Sequence, residues 1–332
     1  MANEKEILLE VKNVCKYFPV KRRPGKFVKA VDDVSFFVRK GENLGIVGES
    51  GCGKSTLART LIRLYEPTSG TIMLDGNDIS GLTGKKLNAA RGKMQMVFQD
   101  PYSSLDPRMT VYAILKEMLK VHKICPDAEI PEKIEALLSM TGLGRESASR
   151  YPGEFSGGQR QRICIARALS SHPEFIIADE PVSALDVSIQ AQILNLLKKL
   201  QKELNLTVLF ISHDLNVIRY ISDRVIVMYL GSVVEEGRTE DVFLKPLHPY
   251  AEVLTKAVPE LDPKVRSRES AIEGDLPSPI DLPEGCRFHP RCKYCQEKCR
   301  TERPLLAETD GGRRVACHYP LHYQESEEKE NE

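Results

Sequence analysis

Apolar and polar positions alternate over residues 7–14 and again over 28–39, where Val31, Val34, Phe36 and Val38 mark the apolar side. Period two predicts strands of an antiparallel sheet. They are joined by a basic turn, Lys21-Arg22-Arg23-Pro24-Gly25-Lys26, whose charges are expected in solvent. A different pattern follows. Residues 43–47, 94–98, 175–178 and 208–211 form short, nearly unbroken apolar runs. Such runs predict strands buried on both faces, as in a parallel sheet. Thr71–Leu74 reads as a further strand closed by Asp75-Gly76, and Arg224–Tyr229 with Ser232–Glu236 as a hairpin turning at Leu230-Gly231. Helical spacing covers Lys54 to about Leu64, residues 111–150, Gln159–Ser170 and Ser188–Leu204. Beyond Gly237 prolines crowd residues 246–290, which predicts a loop-rich appendage in a domain apart from residues 1–240. The highly charged residues 323–332 are expected to be disordered.

The ends of the buried runs carry the candidate chemistry. Gly48-Glu49-Ser50-Gly51-Cys52-Gly53-Lys54-Ser55-Thr56 fits the phosphate-loop pattern G-x-x-x-x-G-K-[ST], after a strand and before a helix. Its glycines let backbone N–H groups converge on phosphate oxygens, and the helix start adds its dipole. Lys54 is a point charge for the β/γ-phosphates, and the Ser55 hydroxyl is a ligand for Mg²⁺. Asp179, after four apolar residues, is placed to hold the Mg²⁺, and Glu180 to polarise the attacking water. His213 and Gln99 end two more buried runs and are candidates for the same centre, Gln99 also for Mg²⁺. Ser156-Gly157-Gly158-Gln159 predicts a second helix start suited to an anion. One nucleotide needs only one such cradle, unless two chains share it face to face.

Composition narrows the class. The 332 residues carry 28% charged side chains and a formal net charge of zero, which argues against nucleic acid as the main partner. No run reaches the length of a membrane span, and the first residues lack a secretory core. The expectation is a cytosolic chain whose membrane role comes through partners. Nine cysteines are present, five of them in the C-terminal stretch: Cys286, Cys292, Cys295, Cys299 and Cys317. In a reducing compartment such a cluster reads first as metal binding, by tetrahedral zinc or a [4Fe–4S] cluster.

The order of phosphate loop, Gln99, Phe155-Ser156-Gly157-Gly158-Gln159, Asp179-Glu180, Ser183-Ala184-Leu185-Asp186 and His213 resembles the ATP-binding-cassette (ABC) ATPase family over about residues 7–240. The resemblance implies an α/β, RecA-like P-loop cassette with an antiparallel β subdomain and a helical insertion over about residues 100–160. It implies a head-to-tail dimer, with ATP between the phosphate loop of one chain and Ser156–Gln159 of the other, and with Asp186 at the same interface. Phe155 stands where the family usually has Leu. Phe18, with Tyr17 as the alternative, falls where an aromatic stacks on adenine. Lys16-Tyr17-Phe18-Pro19-Val20, the segments 99–107 and 179–188, and Leu247-His248-Pro249-Tyr250 with Ala257-Val258-Pro259 resemble, more closely, the F-type ATPase subunit of dipeptide and oligopeptide importers. That resemblance reaches about His318, so the appendage over 241–322 becomes the importers' C-terminal extension. It implies a second cassette subunit or a second copy, two membrane-spanning permeases, a place on the cytoplasmic face of the membrane, and an extracytoplasmic solute-binding protein. Related systems move nickel, glutathione or oligosaccharides. The family pattern aligns Cys286, Cys292, Cys299 and Cys317 as ligands of an iron–sulfur cluster and leaves Cys295 extra; unmetallated or disulfide-bonded thiols and zinc are the alternatives. Arg287, Arg291, Lys293 and Lys298 are read first as ordinary surface residues, with an offset of the cluster's charge as the alternative. A rival class, the soluble ABC ATPases of repair or translation, is disfavoured by the single cassette, the absence of a long coiled-coil insertion and the balanced charge.

Overall fold

The continuous apolar runs become one half of an eight-stranded sheet. The computed structural model describes residues 6–21, 23–256, 277–309 and 311–322. Arg22 of the basic turn, Ala257-Val258-Pro259 and the charged tail over 323–332 lie outside the described residues. In the large sheet, β3 (Asn43–Val47) is flanked by β8 (Thr207–Ile211) and β9 (Arg224–Tyr229), and β7 (Phe175–Asp179) and β6 (Met94–Val97) follow beyond β8, all parallel. Strand direction splits each run between two cores. Leu44, Ile46, Phe175, Ile177, Leu209, Ile211, Ile226 and Met228 face one, and Val47, Ile176, Ala178, Val208, Phe210, Val225, Val227 and Tyr229 the other. That is why these strands show no polar alternation.

The first core is closed by α1 (Lys54–Leu61) and by an antiparallel sheet, with β1 (Ile7–Pro19) between β2 (Phe27–Arg39) and β4 (Ser69–Leu74), and β5 (Asn77–Asp78) at the edge. β1 runs beyond the predicted residue 14. An irregularity at Asn13, whose φ is 49°, breaks the alternation there without ending the strand. α1 stops at Leu61 rather than about Leu64, because Arg63 turns left-handed at φ 59°.

The predicted helical insertion is present but divided. After α2 (Gly84–Lys93) and β6, α3 (Val111–Val121) and α4 (Ile130–Met140) are separated by a left-handed Lys123 and by Pro126. With α5 (Gly157–Leu169) they enclose Ile114, Leu115, Leu119, Ile134, Leu138 and Ile163. α2 buries no side chain and so offered no apolar stripe to read. α6 (Val187–Glu203) matches its prediction within a residue at each end. The short α7 (Leu215–Ile221), capped by Asp214, was missed.

The C-terminal stretch departs most from expectation. After β10 (Ser232–Arg238), α8 (Thr239–Leu244) and α9 (Pro249–Lys256), the chain carries α10 (Glu297–Thr301) and a hairpin of β11 (Ala307–Thr309) and β12 (Arg313–Val315). β12 pairs antiparallel with β10, so the extension adds two strands to the cassette's own sheet instead of standing apart. The seam is charged as well as apolar. Arg313 meets Glu235 and Arg314 meets Glu236, two carboxylates almost wholly out of solvent.

Candidate active site

Five parallel strands end at the same edge, and the turns after them line a cleft of about 610 Å³. The loop from β3 to α1 supplies its floor. Gly53 sits at φ 107°, and a Cβ there would lie 2.0 Å from the Ala30 carbonyl, so only glycine fits. The Lys54 ammonium is 5% exposed and donates to the carbonyls of Gly48 and Glu49 at 2.7 and 3.0 Å, which fixes it beside the loop. Ser50, Gly51, Ser55 and Thr56 face the cleft, whereas the Cys52 thiol is turned inward and 1% exposed.

Ser55 Oγ donates to Asp179 Oδ1 at 2.9 Å. Burial pushes the Asp179 carboxyl above its ordinary range, against the Ser55 hydrogen bond and the charge of Arg59. A buried carboxylate and a hydroxyl at a phosphate cradle are hard oxygen donors that fit Mg²⁺, which keeps waters and phosphate oxygens in its remaining positions. Glu180, at φ 47°, projects past the strand end and is bracketed. Gln99 Nε2 donates to Oε2 at 2.9 Å, and His213 Nδ1 stands 3.2 Å from Oε1. The bond to Glu180 uses the Gln99 Nε2 and leaves the amide oxygen, the atom expected on Mg²⁺, out of that contact. This set can bind phosphates, hold a divalent cation and orient a water.

At the other end of the cleft Phe18 stands edge-on to Tyr65, with ring centroids 5.4 Å apart and the Lys16 ammonium 5.0 Å from the Phe18 ring. Tyr17 turns its hydroxyl to Asp32, so of the two aromatics Phe18 is the one that lines the cleft.

Ser156–Gln159 is not among the residues lining this cleft. Ser156 caps α5, accepting from Gln159 N at 3.3 Å while its own N–H donates to Gln159 Oε1 at 3.0 Å. Gly157 and Gly158 complete the helix start, and a Cβ on Gly158 would stand 2.5 Å from Ile189 of α6. Ser156, Gln159, Asp186 and Val187 are exposed, Val187 at 82%. The helix begins at Gly157, two residues before its predicted start, because the capping serine precedes the glycines.

The cysteines gather without closing on an ion. Burial first, then the neighbouring thiols, pushes Cys292 up to about 11 and Cys317 up to about 12, and Cys317 feels Cys286, Cys292 and Cys299. Four soft sulfurs in one patch are the right donors for iron–sulfur or zinc. Yet among the described residues no group of three His, Cys, Asp or Glu side chains is set to hold a metal, so the expected cluster finds no support in their placement. The basic residues expected around it are engaged elsewhere. Arg287 meets Asp32, Arg291 meets Glu49 of the phosphate loop, and Lys293 reaches Glu252. Sequence reading missed these contacts, and also the Tyr250 hydroxyl, which accepts from Glu49 N at 2.8 Å. No local pattern announces pairs so far apart, those of Arg287, Arg291 and Tyr250 across more than two hundred residues.

Comparison with known proteins agrees with this geometry. A family described as "ABC transporter" matches residues 31–183, and one described as "Oligopeptide/dipeptide transporter, C-terminal region" matches residues 234–299. The chain is 53% identical to the oligopeptide transport ATP-binding protein AppF of Bacillus subtilis, over 96% of this chain and 98% of that one. It is 51% identical to a probable peptide ABC transporter ATP-binding protein of Sinorhizobium fredii, over 94% and 90%. Among solved structures, the dimeric bacterial ABC transporter cassette MJ0796 matches with a TM-score of 0.63 and 31% identity, over 70% of this chain and 99% of that one. The same cassette bound to ADP and Pi gives a TM-score of 0.62 and 32% identity, with the same coverage.

Proposed function

Because the chain belongs to the ABC transporter family, we propose that it is the ATP-hydrolysing subunit of an oligopeptide importer. The observation that carries the reaction is Glu180 held between Gln99 and His213 at the cleft that contains Lys54 and the Ser55–Asp179 pair. In this reading backbone N–H groups of Gly48–Thr56 and Lys54 bind the β- and γ-phosphates, and Ser55 and Asp179 hold Mg²⁺, which offsets charge on the transferring phosphoryl group. Glu180 takes the proton of the attacking water, oriented by His213 and Gln99. Phe18 stacks on adenine. Ser156–Gln159 and Asp186, exposed and outside the cleft, serve the ATP of a facing cassette, which is a second copy or a companion subunit. Residues 1–240 act as the cassette and 241–322 as the importer-type extension.

Among the described residues no helix is long and apolar enough to cross a membrane. In the importer reading, coupling goes through two permease subunits, with the chain on the cytoplasmic face. A groove of about 250 Å³ between the helical insertion and the central sheet, lined by Leu64, Met96, Phe98, Val121 and Arg167, suits a short permease helix. Gln99 follows Phe98 directly, so seating that helix bears on Glu180. The four cysteines 286, 292, 299 and 317 are assigned to a [4Fe–4S] cluster, or to zinc in its place. The test is peptide uptake into vesicles holding the whole importer. Uptake that needs ATP and fails with Glu180→Gln supports the reading, and ATP-independent uptake refutes it.

A further inference from the structure

We propose that the loop Cys286–Cys292 is a positioning element for ATP, with Arg291 setting the phosphate loop and Arg287 the adenine side of the cleft. Arg291 is 7% exposed in its side chain, and its Nη1 donates to Glu49 Oε2 at 2.9 Å, with Tyr229 Oη at 3.4 Å. Glu49 is thereby held twice, since its N–H also donates to the buried Tyr250 hydroxyl at 2.8 Å. Phe288, in the same loop, packs on both tyrosines, with centroids 5.3 Å from Tyr229 and 5.4 Å from Tyr250. The remaining arginine works on Asp32 and on the turn at Leu230, whose neighbour Gly231 donates to Cys52 O of the phosphate loop. Arg287 donates to the Leu230 carbonyl and to the carboxylate of Asp32, the same carboxylate that accepts from Tyr17 next to Phe18. Leu230 itself lines the cleft.

A loop fixed at one end by the bond from Cys286 N to Cys299 O thus reaches Glu49 of the phosphate loop and the Asp32–Leu230 region beside the cleft through two arginines with 7% exposed side chains. Charge-assisted bonds of this kind, sheltered from water, hold their partners more firmly than neutral ones. Glu49 lies inside the segment whose backbone must converge on phosphate, so the Arg291 contact sets how well that loop is preorganised. Neither arginine reaches the reacting atoms. Their effect falls on ATP affinity and leaves the chemical step alone.

The inference rests on the ATPase reading, and ATP binding by the unaltered full chain tests that reading separately. Fluorescent ATP titration and steady-state kinetics are then compared for Arg291→Ala, Arg291→Lys, Glu49→Gln and the Glu49→Gln/Arg291→Ala pair. Arg291→Ala should weaken ATP binding and raise KM about tenfold, with kcat at saturating ATP within about twofold. Arg291→Lys should recover part of the loss, and the double variant should be no worse than Arg291→Ala alone. Nucleotide-free melting curves separate loss of fold from loss of affinity. If Arg291→Ala does not fold, Arg291→Lys and Glu49→Gln carry the same comparison. Unchanged ATP affinity in those two, or additive effects in the double variant, would overturn the proposal.

Discussion

The cassette and its extension are built on opposite plans. In the cassette each functional group stands in a short contiguous motif at a strand end, and the parallel sheet brings the ends together. Asp179 and Glu180 close β7, His213 follows β8, Gln99 follows β6, and the phosphate loop follows β3. In the extension the informative residues act at long range. Arg287 pairs with Asp32 and Arg291 with Glu49, across more than two hundred residues. Residues far from the phosphate loop in sequence therefore reach it, because Arg291 of the extension is bonded to Glu49.

The largest expected effect breaks the cassette alone. Glu180→Gln should leave ATP binding intact and lower turnover by about 10²–10⁴-fold, the usual contribution of a general base. Near-normal hydrolysis in a phosphate-release assay would remove Glu180 from its role. A second change separates hydrolysis from coupling. Val121, 63% exposed, lines the groove assigned to the permease helix. Val121→Asp should lower peptide uptake roughly thirtyfold, the scale of a lost interface anchor, with ATPase activity of the isolated chain within about twofold. Equal uptake by that variant would place the docking surface elsewhere.

Changes in the extension sharpen the comparison at smaller scale. Protein purified without oxygen should be brown with about four irons per chain. Cys286→Ser, Cys292→Ser, Cys299→Ser or Cys317→Ser should bleach it, and Cys295→Ser should not. Cys286→Ser and Cys292→Ser, at the ends of the loop that carries both arginines, should also weaken ATP binding about threefold. Colourless protein with one tightly bound zinc would favour the alternative metal, and bleaching by Cys295→Ser alone would show the ligands misassigned. The last change concerns the seam. His248 is fully buried against Phe288, and burial pushes its pKa down to about 3 from an ordinary 6.5. The unfolded chain takes that proton first. The stability is fully present above pH 6.5 and is lost as pH falls toward 3, by at most about 1.4 kcal/mol per pH unit. Melting curves of His248→Gln should show a flatter decline across that window, and an unchanged slope would mean that His248 does not set it.

What was legible in the sequence follows from the same division. Apolar runs ending in Gln99, Asp179-Glu180 and His213 revealed both the strands and the reacting edge, because burial on two faces leaves polar residues only where a strand stops. The helix start near Ser156–Gln159 was legible too, but its capping serine was not, so the start was set two residues late. α2 was invisible because it buries nothing, and Asn13 hid the second half of β1 behind a local irregularity. The extension was read as a separate loop-rich unit because proline density reports local backbone only. It says nothing of a hairpin that completes a distant sheet, or of arginines that leave the cysteine patch to hold a carboxylate elsewhere.

That two cassettes share each ATP is a claim that light scattering with bound-nucleotide analysis on Glu180→Gln puts to the test. With Mg-ATP, the substituted chain, alone or mixed with its companion cassette subunit, should run as a dimer that retains ATP, and adding Ser156→Arg should return it to monomer. Full ATP occupancy on a monomer, unaffected by Ser156→Arg, would contradict the claim.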